Sequence, residues 1–149
     1  MDIHIFLAHA AKLELETEEA YLKLVVSMTA RENHDAAEIF REMAEFSRVH
    51  WYTAMKRADF DDSTDIPGLI ALWQGGKTEI PDLSNSENPL DLDGAMSLAL
   101  TAEKRGVAFY EGVAQTTTDM QIRLLAEEFA AEERGHVLAL ERFFGLESY

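Results

Sequence analysis

All three prolines of this 149-residue chain, Pro67, Pro81 and Pro89, fall in one central stretch, with Gly75-Gly76 and a cluster of Asp, Ser and Asn around them. Proline lacks the backbone N–H and clashes with the preceding turn, so no long helix runs through such a stretch. The proline-free segments on either side are rich in Ala, Leu, Glu, Lys, Met and Arg, the composition of long helices. Each is interrupted once, near Asn33-His34-Asp35 and near Thr116-Thr117-Thr118-Asp119, where cap-forming side chains collect. The pattern predicts helices over roughly 2–31, 34–58, 91–116 and 119–144, with a crossover over 59–90. Short breaks make antiparallel hairpins, and the long crossover must return the chain along the bundle so that the third helix starts at the correct end. Its apolar part, Gly68 to Trp73, can lie on the bundle as a short helix or an extended strip. The expectation is an all-α four-helix bundle, one domain over 1–149.

Composition narrows the chemistry. Twenty-eight acidic residues against 13 Lys and Arg give a formal charge of −15, which repels phosphate backbones and anionic lipid and attracts cations, so no nucleic-acid or membrane partner is expected. No uncharged apolar run approaches the roughly 20 residues of a bilayer span. The start, Met1-Asp2-Ile3-His4, lacks the basic character of a signal peptide, and a cytoplasmic location is expected. With no cysteine, disulfides, thiolate nucleophiles, Cys-ligated zinc and iron–sulfur clusters are excluded, so any metal must be held by carboxylate and imidazole.

Read at 100° per residue, each helix carries polar groups near the middle of its apolar stripe. The first stripe runs Leu7, Ala11, Glu14, Glu18, Tyr21, Val25, Met28, and the second Ala36, Phe40, Met43, Ser47, His50, Ala54. The third runs Met96, Leu100, Glu103, Val107, Tyr110, Ala114, and the fourth Ile122, Leu125, Phe129, Glu133, His136, Leu140, Phe143. An ionised carboxylate buried without a partner costs several kcal/mol, and no lysine or arginine shares these stripes. A divalent cation among Glu14, Glu103, Glu133, His50 and His136 is the economical partner. This nitrogen and oxygen set suits iron, manganese or zinc better than calcium or magnesium. The alternatives are a protonated, uncharged polar core or a misread face. One Glu-x-x-His, Glu133 to His136, proves little in a chain this rich in glutamate, and Glu45/Tyr52 repeats the spacing of Glu14/Tyr21 off the stripe. Specificity comes from repetition. Glu103 follows Glu14, and Tyr110 follows Tyr21, by the same 89 residues, while His136 follows His50 by 86, with Ala44/Ala130 and Arg48/Arg134 matching around the histidines.

Together these residues resemble the rubrerythrin and ferritin-like di-iron carboxylate family across both hairpins. There, two helices each give a Glu with a Tyr seven residues on, as Glu14 with Tyr21 and Glu103 with Tyr110 do, and the other two each give a Glu-x-x-His, as in Ala130–His136, AAEERGH. The resemblance implies a ferritin-like bundle in which Glu14 and His50 hold one metal, Glu103 and His136 the other, and Glu133 bridges them. The second helix departs from the pattern: Ser47 stands where the family has its other bridging Glu, and Glu18, one turn from Glu14, is the candidate replacement. Gly106 stands where rubrerythrins carry an additional Glu. The implied cofactor is iron, two per chain if the site is intact and one if it is degenerate, with manganese or zinc as alternatives.

By the same resemblance the chain would react with peroxide or dioxygen, as a peroxidase or oxidase, or take part in iron handling. Tyr21 and Tyr110 would hydrogen-bond ligand carboxylates or supply an electron, though each reads equally well as packing. A chain without cysteine has no rubredoxin-type module, so a separate electron donor is implied, and the family likeness implies a homodimer or larger assembly. The competing readings are a non-catalytic metal-binding or structural bundle with a degenerate site, and an interaction module that docks through the crossover strip and Trp73. His4, His9 and His34 read as surface or capping residues, Trp51 as packing, and the run Asp59, Asp61, Asp62, Asp65 as a solvated loop.

Overall fold

The computed structural model describes residues 1–72 and 90–145. Four long helices, α1 (Ile3–Ala30), α2 (His34–Arg57), α4 (Leu92–Thr116) and α5 (Met120–Phe143), surround the core, and a short α3 (Ile66–Ala71) packs on α1. The fold is all-α, two antiparallel hairpins, α1–α2 and α4–α5, in the arrangement of a ferritin-like four-helix bundle. Among the described residues no helix is long and apolar enough to cross a membrane.

Among the described residues every helix start is fixed by a side-chain oxygen that satisfies an otherwise orphaned N–H. Asp2 accepts from Ile5, Asn33 from Ala36, Asp65 from Gly68, Asp91 from Gly94, and Asp119 from Gln121 and Ile122. Asp65 is therefore the cap of α3 rather than a loose member of an acidic run. Helices α1 and α2 close with the same device. The N–H of Asn33 bonds Met28 O and that of Phe60 bonds Met55 O, which forces Glu32 (φ 59°) and Asp59 (φ 56°) into the left-handed region usually reserved for glycine.

The core divides into two apolar clusters. One gathers Phe6, Leu7, Ala54, Tyr110 and Ile122 at one end of the bundle, and the other gathers Met28, Phe40, Met43, Ala99 and Leu140 at the opposite end. Ala58, where α2 ends, belongs to the first cluster, and Leu90, just before α4, packs on the second. The crossover thus joins opposite ends of the bundle. Trp73 and the stretch through Pro89, including Gly75-Gly76, lie outside the described residues.

The faces differ from the sequence reading in three places. On α4 the buried positions include Ala95, Ala99 and Gly106 beside Glu103 and Tyr110, while Met96 and Leu100 flank them half-buried. Small residues fill these buried positions, and periodicity ranks them below their larger neighbours. On α5 the innermost apolar positions include Ala126 and Ala130, and Phe143 is exposed. His9, expected at the surface, is buried beside Phe109, and loss of hydration followed by the nearby Lys12 charge lowers its imidazole to about 4.

Candidate metal centre

Between the two apolar clusters lies a polar layer. Glu14 on α1, Ser47 on α2, and Glu103 and Glu133 on α4 and α5 are all at most 5% exposed, with His50 and His136 at its edge. Two groups of donors converge there, each with its ligand atoms within 4.8 Å of one another: Glu14, His50 and Glu133, and Glu103, Glu133 and His136. Glu133 belongs to both. The structure therefore brings together five of the residues singled out from the sequence.

In the second group Nδ1 of His136 stands 3.5 Å from Oε2 of Glu103 and 3.5 Å from Oε2 of Glu133. Tyr21 donates from its hydroxyl to Oε1 of Glu103 at 2.7 Å, which fixes that carboxylate from α1. The other oxygen, Oε2 of Glu103, is buried and makes no hydrogen bond. A buried carboxylate oxygen whose nearest donor stands off at 3.5 Å is under-satisfied, and a cation between Glu103, Glu133 and His136 would satisfy it. The donors present therefore fit a divalent metal. In the first group Nδ1 of His50 faces Oε1 of Glu14 at 3.7 Å. Tyr110, the counterpart of Tyr21 in sequence, is fully buried and packs edge-on against Phe6 and Phe129.

Crowding three acids out of water shifts them all the same way. Burial raises Glu14 to about 7 and Glu103 to about 8, and burial raises Glu133 as well. For His136 burial opposes the charged form, but the carboxylates of Glu103 and Glu133 outweigh it and hold the imidazolium up to about 10. Both tyrosines are pushed well above their ordinary range, first by burial and then by the neighbouring acids. Without a cation the layer shares protons; with one, these groups would give their protons up.

Glu18 is not part of either group. Its carboxylate faces Nη1 of Arg48 at 3.5 Å, so it does not stand in for the bridge that Ser47 lacks. The repeat of Arg48 and Arg134 is explained by the same observation, since each arginine pairs with an acid on its hairpin mate, Arg48 with Glu18 and Arg134 with Glu111. Gly106 backs the shared carboxylate: a Cβ there would touch Glu133 at 3.4 Å.

Two residues at the site escaped the sequence reading. Glu132 places Oε2 3.3 Å from Nε2 of His50, on the side of the ring away from Glu14. Phe46 stacks on His136, with ring centroids 5.5 Å apart and planes 14° apart. Each immediately precedes a residue on the inward stripe, Glu133 or Ser47, and that adjacency was the available signal. A gap of about 10 Å³, lined by Ala10, Ala54, Tyr110, Phe129 and Glu132, reaches Glu14 and His50 among the four long helices.

Fold and site together define a class: an all-α bundle of two hairpins whose waist holds buried Glu and His groups able to take metal ions. An uncharacterized conserved protein from Magnetospirillum magnetotacticum MS-1, known from a crystal structure, is similar over 100% of this chain and 97% of its own, with a TM-score of 0.77 and 28% identity. No family model and no curated protein matches the chain.

Proposed function

We propose that this chain is a non-haem iron protein of the rubrerythrin and ferritin-like type, holding two metal ions and reacting with peroxide or dioxygen, or handling iron through the same centre. The observation that carries the reading is the pair of three-donor groups sharing Glu133. Glu14 and His50 would hold one ion, Glu103 and His136 the other, and Glu133 would lie between them. Bound iron would supply one-electron redox chemistry. Around it, the carboxylates compensate positive charge, Tyr21 holds Glu103 in place, and Glu132 fixes the orientation of the His50 ring. The gap at Glu14 and His50 is water-sized, which suits a small oxidant. The chain has no cysteine, so electrons would come from a separate protein or a small reductant.

A second reading, a non-catalytic metal-binding or structural bundle, is favoured by Ser47, whose hydroxyl cannot supply the missing anionic bridge. Metal analysis by mass spectrometry separates the two, using protein made in iron-supplemented medium beside its Glu133→Ala variant. Two irons per chain, lost on substitution, together with ferrous protein that reacts with peroxide, support the redox reading. One metal or none in folded protein supports the second.

A further inference from the structure

The interval of 86 residues that relates His50 to His136 also relates Ser47 to Glu133 and Phe46 to Glu132. The structure gives the last pair a common task performed by different chemistry. Glu132, on α5, reaches across to the imidazole of His50 on α2, with Oε2 3.3 Å from Nε2. Phe46, on α2, reaches across to the imidazole of His136 on α5 and meets it ring on ring. His136 is also near-parallel to His50, with centroids 5.4 Å apart and planes 16° apart, so two rings one turn apart on α2 set its plane.

We propose that Phe46 is the positioning residue of His136, occupying the place that Glu132 fills for His50. Three observations bear on it. Phe46 leaves 48% of its surface in water, and its ring stacks on an imidazole whose side chain is only 13% exposed. The stacked plane directs Nδ1 of His136 equally at Glu103 and Glu133. The carboxylate of Glu132 lies at the Nε2 edge of His50, opposite the Nδ1 edge that faces Glu14. A phenyl ring offers no acceptor and acts on His136 by contact alone. It restricts the plane of His136. The two halves of the centre are therefore inequivalent on the outer side of each ring: a carboxylate from the opposite hairpin flanks His50, and a phenyl ring flanks His136.

The inference rests on the metal-centre reading only where metal binding is its readout, so two measurements are paired. The first uses metal-free full-length protein and the ring protons of His136 in NMR spectra. In the wild type they carry the ring-current shift of Phe46; Phe46→Ala and Phe46→Leu abolish it and broaden the resonances as the ring gains freedom, whereas Phe46→Tyr retains it. The second is a cobalt(II) titration followed by visible absorbance. Phe46→Ala weakens one of two binding steps by roughly 10-fold, the size of effect expected when the support of a ligand is removed. It leaves the other step unchanged, Phe46→Tyr restores wild-type behaviour, and Glu132→Gln weakens the step that Phe46→Ala spares. Unchanged His136 resonances in the alanine and leucine variants overturn the proposal, as does equal weakening of both cobalt steps by Phe46→Ala. If the wild type takes up no cobalt while the resonances respond as described, positioning by Phe46 stands and the proposed function falls.

Discussion

Replacing Glu103 with glutamine tests the electrostatics of the layer without changing its shape. The amide oxygen still accepts from Tyr21, and the side chain keeps its volume. In the metal-free wild type Glu103 is held up to about 8, whereas in the unfolded chain it returns to its ordinary value of 4.5. Between those values the unfolded chain binds fewer protons than the folded one, so the contribution of Glu103 is fully present below about pH 4.5 and is lost as pH rises toward 8. At about 1.4 kcal/mol per pH unit, the loss attributable to this residue between pH 5 and 8 is up to about 4 kcal/mol. Glu14 and Glu133 act in the same direction, and His136, held up to about 10 against an ordinary 6.5, extends the decline above neutrality. His9, lowered to about 4, opposes them only between there and 6.5. Urea unfolding followed by far-ultraviolet circular dichroism in chelator, at pH 5, 6.5 and 8, should show the wild type losing stability as pH rises and Glu103→Gln losing distinctly less. Saturating zinc should reverse the wild-type trend, because cation binding requires the deprotonated acids, and should protect the variant less. Parallel pH profiles for the two proteins in chelator would refute the reasoning.

Three further outcomes are expected. Ser47→Glu adds a fourth acid to the layer, so it should lower metal-free stability by about 2–4 kcal/mol while raising cobalt affinity, read from chelator and metal-loaded melts of the same protein. Tyr21→Phe leaves Oε1 of Glu103 without its donor, and should lower stability by about 1–3 kcal/mol in urea titrations at pH 6. Glu32→Gly relieves a left-handed backbone (φ 59°) at the end of α1 and should raise stability by up to about 1 kcal/mol, seen as a higher melting temperature with an unchanged helical spectrum.

The hairpins were legible because their signals are local: Asn33 and Asp119 cap the helices they precede, and the prolines are confined to the crossover. The donors were legible for a different reason. A carboxylate such as Glu14 or Glu103 on an otherwise apolar stripe is too costly to lie there by accident, and the repeat of Glu, Tyr and His between hairpins located the layer. What escaped depends on side chains meeting across helices. Glu132 and Phe46 lie off the inward stripes and reach the opposite hairpin by their length, and His9 is buried by Phe109 from a helix far along the sequence. Glu18 shares the stripe with Glu14, yet the long side chain of Arg48 draws it away, a competition that spacing does not express. On α4 Ala95, Ala99 and Gly106 are buried ahead of Met96 and Leu100, and the absence of bulk is the signal.

The two donor groups differ in where their members come from. Glu103, Glu133 and His136 all belong to the α4–α5 hairpin, whereas Glu14 and His50 belong to α1–α2 and need Glu133 from the other side. One pocket of charge is thus written within a single helical pair, and the other comes into being only when the pairs meet. An ion in the first would tell whether α4 and α5 have paired; an ion in the second would act as a rivet through the seam, its occupancy a gauge of assembly itself.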